Sequence, residues 1–471
     1  MNAAHGTRSV ESFHAPSIGT GLLPKARRRQ PLRAAMDPLH AALVLLMIMS
    51  ISRVHQQFAF IAVARPALVL VAFSLLYAFL NPRLLSENAL FFTWPPRLLA
   101  GFAVIACLSV PFGISPGASG LFILQLYAPV LVFAALLVVA VRKAGDLYVL
   151  IWSFVIGGGV LAFFANFVFK LSVTNGQARL GDMYMYDAND AGLVLTISIP
   201  LTLLTLYVAG WKGKLLSLLF LYWEWIAIAR TGSRGAFLGV IIVGLGLLLL
   251  ADGISLLKRV GVLVGAAAVL LIAAPQGYWK QMQSITSPTE DYNWTAKDGR
   301  KQVAKRGLQY MLDYPMAGIG ISNFPRAEGT ISDKARNWTQ SEAGIRWSAA
   351  HNSHVEAGAE LGIPGLILWI SMLVGGVVGP LRLRRRLPKA WRHGTQDQRF
   401  IYAATSYLPI SMLGFIVTST FVSFAYLDPV YVLLAFVAGL YACADEALKK
   451  RSTASARLPR RVGPRVFSGV A

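Results

Sequence analysis

Long apolar runs recur along the whole chain of 471 residues and constrain its fold more than any other feature. Each run has about 16–24 residues, and a helix needs about 20 apolar residues to cross the hydrocarbon core of a bilayer. Strands that cross a membrane alternate apolar and polar residues, which these runs do not, so the segments are predicted to be helices. The centres of about twelve predicted spans are Leu46, Val71, Ala103, Leu131, Gly157, Ile197, Leu219, Val243, Leu270, Leu368, Leu413 and Leu434.

The composition excludes a soluble globular protein. Hydrophobic residues make up 55% of the chain and charged residues 14%, whereas a soluble domain carries about 25% charged residues. Cys107 and Cys443 lie far apart in apolar runs, so neither a disulfide framework nor a cysteine metal site is expected. The sequence therefore predicts an all-α integral membrane protein.

Basic residues outnumber acidic residues by 44 to 22 and gather in segments that flank the apolar runs. The largest groups lie at 25–33, 382–392 and 449–465. They have almost no interleaved aromatic residues on which bases would stack, so no nucleic-acid partner is expected. Basic loops are typical of the cytoplasmic face of a membrane. The pattern predicts an even number of spans with both termini in the cytoplasm.

The charge and hydropathy patterns divide the chain into five parts. These are a basic cytoplasmic tail at 1–37, nine transmembrane helices at 38–275, a large periplasmic loop at 276–361, three transmembrane helices at 362–445 and a second basic tail at 446–471. Helical spacing of apolar residues predicts amphipathic helices at 301–312 and 347–361 within the loop. A loop of this size has room for chemistry of its own.

Several polar side chains lie just before the tenth predicted span. They are His351, Asn352, His354, Glu356 and Glu360. A neutral imidazole there is suited to take a proton from a sugar hydroxyl, because its usual pKa lies near the working pH. One alternative is that His351 only caps a helix. The other is a zinc site. The i, i+3 spacing of the two histidines and the lack of a nearby cysteine argue against it.

Arginines predicted on the outer face indicate a site for phosphate groups. Arg230 and Arg234 lie in a short loop, ARTGSRG, and Arg300 begins the first loop helix. Guanidinium groups bind phosphate oxygens through paired hydrogen bonds, although snorkelling to lipid headgroups or a solvated helix end are alternatives. The loop from Arg179 to Asn189 is rich in tyrosine and polar groups suited to sugar hydroxyls, or else it caps a helix.

The order of these motifs resembles the O-antigen ligase and O-antigen or exopolysaccharide polymerase family of membrane glycosyltransferases. The motifs are Ser233-Arg234-Gly235, Arg300, PMAGIG from Pro315 to Gly320, His351-Asn352, and ELGIPG from Glu360 to Gly365. The resemblance is strongest from about Arg179 to Trp369, and all the motifs surround one large outer loop. Any one of them alone is weak.

The resemblance implies a metal-independent, inverting glycosyltransferase without a cofactor, in the bacterial inner membrane with its active site on the periplasmic face. Such enzymes move a glycan from undecaprenyl diphosphate to an acceptor hydroxyl, here expected on the lipid A core. By resemblance, Arg234 and Arg300 bind the diphosphate and His351 activates the acceptor. Arg230 is a further diphosphate candidate. Candidates for helping or acceptor roles are His354, Asn352, Glu356, Arg179 and Asn189.

Several alternatives remain open from the sequence. Ligases, repeat-unit polymerases and protein O-oligosaccharyltransferases of this family share the named motifs, so the acceptor is undecided. His354 stands where the family usually has an aromatic residue, which leaves open which histidine is the base. A transporter or flippase should show interrupted helices in corresponding places of two halves, yet the large loop has no counterpart in the N-terminal half. A non-catalytic scaffold for polysaccharide assembly is the remaining alternative.

Overall fold

The computed structural model of the chain is mostly helical. It describes residues 32, 36–83, 93–174, 176–181, 183, 186–251, 254–287, 296, 299–336 and 347–456. Most of the two predicted basic tails and part of the predicted outer loop lie outside the described residues.

Nineteen α-helices are numbered among the described residues, together with one hairpin of two strands. The helices are α1 (Pro38–Ser52), α2 (Val54–Gln57), α3 (Ala59–Val63), α4 (Pro66–Leu80), α5 (Trp94–Leu108), α6 (Pro116–Phe122), α7 (Ala128–Ala140), α8 (Ala144–Phe167), α9 (Ala188–Val208), α10 (Trp211–Thr231), α11 (Arg234–Leu250), α12 (Leu256–Ala273), α13 (Tyr278–Gln283), α14 (Arg300–Asp313), α15 (Phe324–Thr330), α16 (Asp333–Arg336), α17 (Ser353–Arg386), α18 (Gln396–Thr418) and α19 (Asp428–Ala456). Short 3₁₀ turns, Lys389–His393 and Ser419–Phe421, precede and follow α18, and a π-helical turn, Ile123–Tyr127, joins α6 to α7.

Each of the predicted span centres lies inside one of these helices. Among the described residues, eight helices are long and apolar enough to cross a membrane. These are Ala59–Leu80, Pro116–Ala140, Ala144–Phe167, Ala188–Val208, Leu256–Ala273, Ser353–Arg386, Gln396–Phe421 and Asp428–Arg451. Helices α1, α5 and α11 are apolar but shorter, and the remaining predicted span is α10. The helical character of the prediction is confirmed, and its count is supported for eight spans.

The connections between helices segregate to two ends of the bundle. At the basic end, Arg142 Nη2 lies 3.4 Å from Asp37 Oδ2, and Gln396 Nε2 donates to the Val208 carbonyl at 3.1 Å. Arg384 Nη1 donates to the Leu250 carbonyl at 3.1 Å at this same end. The segments before α11 and α17 and the segment between α18 and α19 meet at the opposite end, called the site end below.

Close helix packing in the centre depends on three consecutive glycines in α8. A Cβ at Gly157 would lie 2.9 Å from Ile51 of α1, and one at Gly158 would lie 2.5 Å from Ser198 of α9. A Cβ at Gly159 would lie 2.5 Å from the Phe220 ring of α10. Small residues allow this close approach, which supplies the van der Waals contact that holds helices together in lipid.

The periphery of the bundle is apolar. Helices α4 and α12 bury few residues, and large side chains on them and next to them are exposed, among them Val63 at 84% and Ile272 at 87%. Helices α9 and α18 lie at the centre and are almost wholly buried. An apolar exterior around a packed centre is the arrangement that a hydrocarbon solvent requires.

The structure corrects the sequence prediction in two places. Strands β1 (Leu171–Thr174) and β2 (Gln177–Leu180) form an antiparallel hairpin in which Leu171 pairs with Leu180, so the chain is not all-α. The helix predicted from residue 347 begins only at Ser353, because Asn352 accepts hydrogen bonds from the first backbone amides and fixes the helix start there.

Candidate active site

The segment 419–428, between α18 and α19, contacts several of the predicted site residues at the site end. Phe421 packs so closely on Gly235 that a Cβ there would lie 2.9 Å from its side chain. Ser353 Oγ donates to the Val422 carbonyl at 2.8 Å and accepts from the Phe424 amide at 2.8 Å. The starts of α11 and α17 are therefore held on the same short segment.

His351 has an unusual backbone conformation just before α17. Its φ of +47° lies in the left-handed region, and its amide donates to Ser423 Oγ at 3.0 Å. Asn352 Oδ1 accepts from the amides of His354 and Val355 at 2.9 and 3.1 Å and so caps the helix. A non-glycine residue in this region indicates a position fixed by its surroundings. The half-buried imidazole is held at the outer end of α17.

His354 uses both of its ring nitrogens within the bundle. Trp369 Nε1 is a donor only, so at 3.0 Å His354 Nδ1 must accept its hydrogen bond. His354 Nε2 then carries the proton, which it donates to the Ile416 carbonyl at 3.2 Å. This tautomer has no lone pair left for an acceptor hydroxyl, so the geometry favours a packing role for His354.

Arg234 and Arg179 lie side by side at the start of α11. Ser233 caps α11 by accepting from the Ala236 amide, and Arg234 Nη1 donates to Ser284 Oγ at 2.8 Å. Arg179 projects from β2, and its Nη2 lies 3.4 Å from Asn189 Oδ1. Burial lowers the pKa of the Arg179 guanidinium and the neighbouring Arg234 lowers it further, whereas Asp187 opposes both effects. Two like charges thus share one partly buried place.

The β-hairpin and α13 form the floor beneath these two arginines. The Ala178 amide donates to the Gln276 carbonyl at 3.0 Å, which joins the hairpin to the start of the outer region. A Cβ at Gly232 would lie 3.1 Å from Gln281 Oε1 and 3.2 Å from Arg179 Cβ. Gln281 Oε1 is buried and accepts no hydrogen bond from the described residues.

Arg230 is directed away from this pair. Its Nε donates to the Ala165 carbonyl at 2.9 Å and its Nη2 to the Phe169 carbonyl at 3.2 Å. These carbonyls lie in the last turn of α8 and two residues after its end, where a cation is stabilised by the helix dipole and by carbonyls without helical partners. The structure therefore gives Arg230 a capping role.

Arg300 begins α14, which runs parallel to the first part of α17. Cβ atoms placed at Gly307 and Gly358 would meet Val355 and Met311 respectively, which fixes this alignment. Val303, one turn after Arg300, shares an apolar cluster with Ala350. Arg300 and His351 thus lie at the same ends of two packed helices.

The PMAGIG and ELGIPG motifs dock against each other. Gly362 has φ of +69°, and Pro364 lacks an amide proton, so the helical hydrogen bonds of α17 are interrupted there. The Ala359 and Glu360 carbonyls, which therefore have no helical partner, accept hydrogen bonds from other amides. The Ile319 amide donates to Ala359 at 2.9 Å and the Gly320 amide to Glu360 at 3.0 Å. The outer region is thereby inserted into the kink of α17.

Glu360 strengthens this docking through its side chain. Its Oε2 accepts from the Ser322 amide at 2.7 Å and its Oε1 from the Phe324 amide at 2.9 Å. Glu356, one turn earlier, accepts from the Ala425 amide at 3.2 Å through Oε2. Both carboxylates therefore position backbone, and this geometry gives Glu356 a link to segment 419–428.

A cavity of 590 Å³ lies on the other flank of segment 419–428. Arg53 and Asp428, which form an ion pair of 3.1 Å, stand at its edge, and Arg53 also lies over the Tyr186 ring at 5.6 Å. Its apolar walls come from α1, α4 and the π-helical turn with α7. Its polar lining includes His55, whose Nδ1 is buried without a partner among the described residues.

The model of the family described as O-antigen ligase matches residues 215–370. This match confirms the resemblance to the O-antigen ligase family. No curated protein matches the chain.

The O-antigen ligase match covers α11, the described outer region and the kink of α17. It includes Arg234, Arg300 and His351, whereas Arg179 and Asn189 precede it. Within the described residues, no group of three or more His, Cys, Asp or Glu side chains has the arrangement of a metal site.

Sequence reasoning missed several residues of this end. Ser284 and Ser423 contact Arg234 and His351, Arg53 and Asp428 line the neighbouring cavity, and none of the four lies in a motif. Many residues of the chain separate these four residues from the motifs, so only the fold brings them close to the site. The one available signal was Arg53, a cation in a predicted outer connection where basic residues are unusual.

Proposed function

We propose that this O-antigen ligase-like chain is a glycosyltransferase of the bacterial inner membrane. It moves a glycan from undecaprenyl diphosphate to an acceptor hydroxyl on the lipid A core, at the periplasmic face, with inversion and without a metal or cofactor. The observation that carries the proposal is that Arg179 and Arg234 are neighbours, while segment 419–428 holds the start of α11 at the same end as His351.

The reaction needs two kinds of group, which these residues supply. The acceptor oxygen attacks the anomeric carbon from the face opposite the diphosphate, and its proton passes to the His351 imidazole. The bond from the anomeric carbon to the diphosphate oxygen breaks, and its electron pair leaves on the diphosphate. Arg234, Arg179 and Arg300 stabilise the charge that develops there through guanidinium hydrogen bonds.

The arginine pair is suited to this role because two guanidinium groups lie close together in a partly buried place. A diphosphate carries enough negative charge to pair with both, beside the Asp187 carboxylate that already offsets part of the charge of Arg179. Gln281 and Ser284 add polar groups at the same floor. Holding both substrates at a fixed membrane depth then supplies proximity.

The cavity beside Arg53 gives room for the lipid part of one substrate. We propose that all twelve predicted helices span the membrane with the basic end in the cytoplasm, so this cavity opens toward lipid near the periplasmic face. Its apolar walls suit a hydrocarbon chain, and its polar edge lies next to segment 419–428. A lipid chain seated there brings its headgroup toward His351.

The test is the product that accumulates in a strain lacking this chain. If the chain is a ligase, the strain that lacks it should accumulate complete polymer on the lipid carrier and capped core without polymer. A repeat-unit polymerase, the second candidate because it shares the named motifs, predicts core that carries single repeat units. Unchanged glycans, or unglycosylated protein as the only defect, would contradict both.

A further inference from the structure

A second cavity, of 570 Å³, lies at the basic end of the bundle, opposite the candidate active site. It forms between the last residues of α11, the end of α17, the 3₁₀ turn Lys389–His393 and the second turn of α18. Four cations line it together with apolar residues and one tyrosine. The cations are Arg384, Arg385, Lys389 and Arg392.

The cavity is built on fixed side chains. Arg384 Nη1 donates to the Leu250 carbonyl at 3.1 Å and to Ser406 Oγ at 2.5 Å, and its guanidinium lies 5.3 Å from the centre of the Tyr402 ring. Trp391 is 2% exposed and anchors the turn that carries Lys389 and Arg392. The cations are thus presented by anchored backbone.

The charge around this cavity is of one sign. No aspartate or glutamate lines it, and neither Arg385 nor Lys389 has an ion-pair partner among the described residues. Asp397, the nearest acidic residue in sequence, interacts instead with Lys450 and Lys143. Arg385 and Lys389 together with Arg384 and Arg392 at one concave space favour a ligand with more than one negative charge.

The apolar wall distinguishes a lipid from a free anion. Leu250, Leu381 and Leu387 line the cavity beside the cations, and they lie at helix ends, where lipid headgroups meet hydrocarbon. Basic pockets between membrane helices bind the headgroups of lipids that carry several phosphates. The combination of apolar wall and four cations matches a headgroup with two phosphates better than one with a single phosphate.

We propose that this cavity binds a phospholipid with two phosphate groups, of the cardiolipin type. Arg384 and Tyr402 form the rigid back of the site, and Arg385 and Lys389 contact the phosphates. The acyl chains lie along the apolar wall into the membrane. This site is distinct from the glycan-transfer site and does not depend on that function.

The test uses the full chain in detergent and the double variant Arg385→Gln/Lys389→Gln. Native mass spectrometry measures binding of cardiolipin, phosphatidylglycerol and pyrophosphate. Each basic residue near a membrane surface contributes enough that the double variant should bind cardiolipin roughly tenfold to thirtyfold more weakly. The matched control is Lys212→Gln/Lys214→Gln, which removes two exposed lysines from the start of α10 at the same end.

The proposal requires that the wild-type chain prefer cardiolipin and that only the cavity variant lose this preference. If both variants lost cardiolipin binding equally, the effect would come from the net charge of the protein, and the proposal would be overturned. Equal or tighter binding of pyrophosphate would assign the cavity to a free anion instead. Unchanged cardiolipin binding in the cavity variant would place the lipid elsewhere.

Discussion

At the residue scale, the two histidines before the tenth predicted span have different environments. The ring of His354 is held by Trp369 and the Ile416 carbonyl, whereas His351 lies at the outer end of the helix with a left-handed backbone. The i, i+3 spacing alone could not separate them. The hydrogen bonds of His354 do, because both of its ring nitrogens are engaged by Trp369 and the Ile416 carbonyl and a base needs a lone pair for the acceptor.

We therefore expect His351→Asn to lose transfer while the protein stays folded. Asparagine tolerates a left-handed backbone better than most residues, so this substitution removes the imidazole with little strain. Loss of a general base lowers the rate about 10²–10⁴-fold. The measurement is glycan transfer at matched membrane levels.

His354→Ala is the comparison for that measurement. It leaves the Trp369 indole and the Ile416 carbonyl without their partner, which costs about 1–3 kcal/mol of stability. A lower melting temperature with substantial remaining transfer is expected. If His354→Ala were inactive at full stability while His351→Asn stayed active, the base would be His354.

The arginines give a second prediction at this scale. Arg234→Lys keeps the charge but loses the planar pair of donors, so transfer should fall about 10-fold to 100-fold. Arg259→Lys is the matched control, because the Arg259 guanidinium is likewise held by hydrogen bonds, to the Ile254 and Leu248 carbonyls, but lies at the basic end. It should leave transfer within about twofold of wild type.

The metal-free mechanism is tested on the same purified protein. EDTA should leave transfer unchanged, because guanidinium groups carry out the charge stabilisation that a metal ion supplies elsewhere. Inhibition by EDTA that is reversed by added Mg²⁺ or Mn²⁺ would contradict the mechanism.

At the scale of elements, the kink of α17 holds the outer region on the bundle. A Cβ at Gly362 would lie 2.5 Å from the Pro315 carbonyl oxygen, and its φ of +69° is strained for any side chain. Gly362→Ala should therefore destabilise the docked loop by about 1–3 kcal/mol and lower the melting temperature in detergent. Gly265→Ala, where a Cβ meets nothing within 4 Å, is the control and should show no loss.

The sequence predicted the helices well and their ends poorly. Each span centre that was predicted from a long apolar run lies inside a helix, because a helix surrounded by lipid needs such a run. It missed the hairpin, whose strands have only four residues each and are ordered by contact with Gln276. It also began α17 too early, because Trp347 to Ala350 are apolar enough to suggest a helix but Asn352 caps a later start.

Candidate site residues can be named from the sequence where a role requires a particular residue type, and they are hidden where it requires only position. Arg234, Arg300 and His351 stay predictions of the first kind, because guanidinium and imidazole groups have few substitutes in such chemistry. Ser423 and Ser284 could not be named, because a serine that orients another residue has no distinctive pattern in the sequence. Their contact with the site depends on helix packing across the whole chain.

At the scale of the whole molecule, the difference in charge between the two ends predicts the orientation of the protein in the membrane. The basic connections gather at one end, and the candidate active site lies at the other. Since cytoplasmic loops are enriched in lysine and arginine, we expect the basic end in the cytoplasm and the site end in the periplasm.

Cysteine labelling tests this orientation. The background variant is Cys107→Ser/Cys443→Ser, which removes both native thiols. Met316→Cys places a thiol at an exposed position of the site end, and Ala390→Cys places one at an exposed position of the basic end. A membrane-impermeant maleimide added to spheroplasts should label Met316→Cys at once and Ala390→Cys only after lysis. The reverse pattern would invert the protein in the membrane and place His351 where no lipid-linked glycan is exported to meet it.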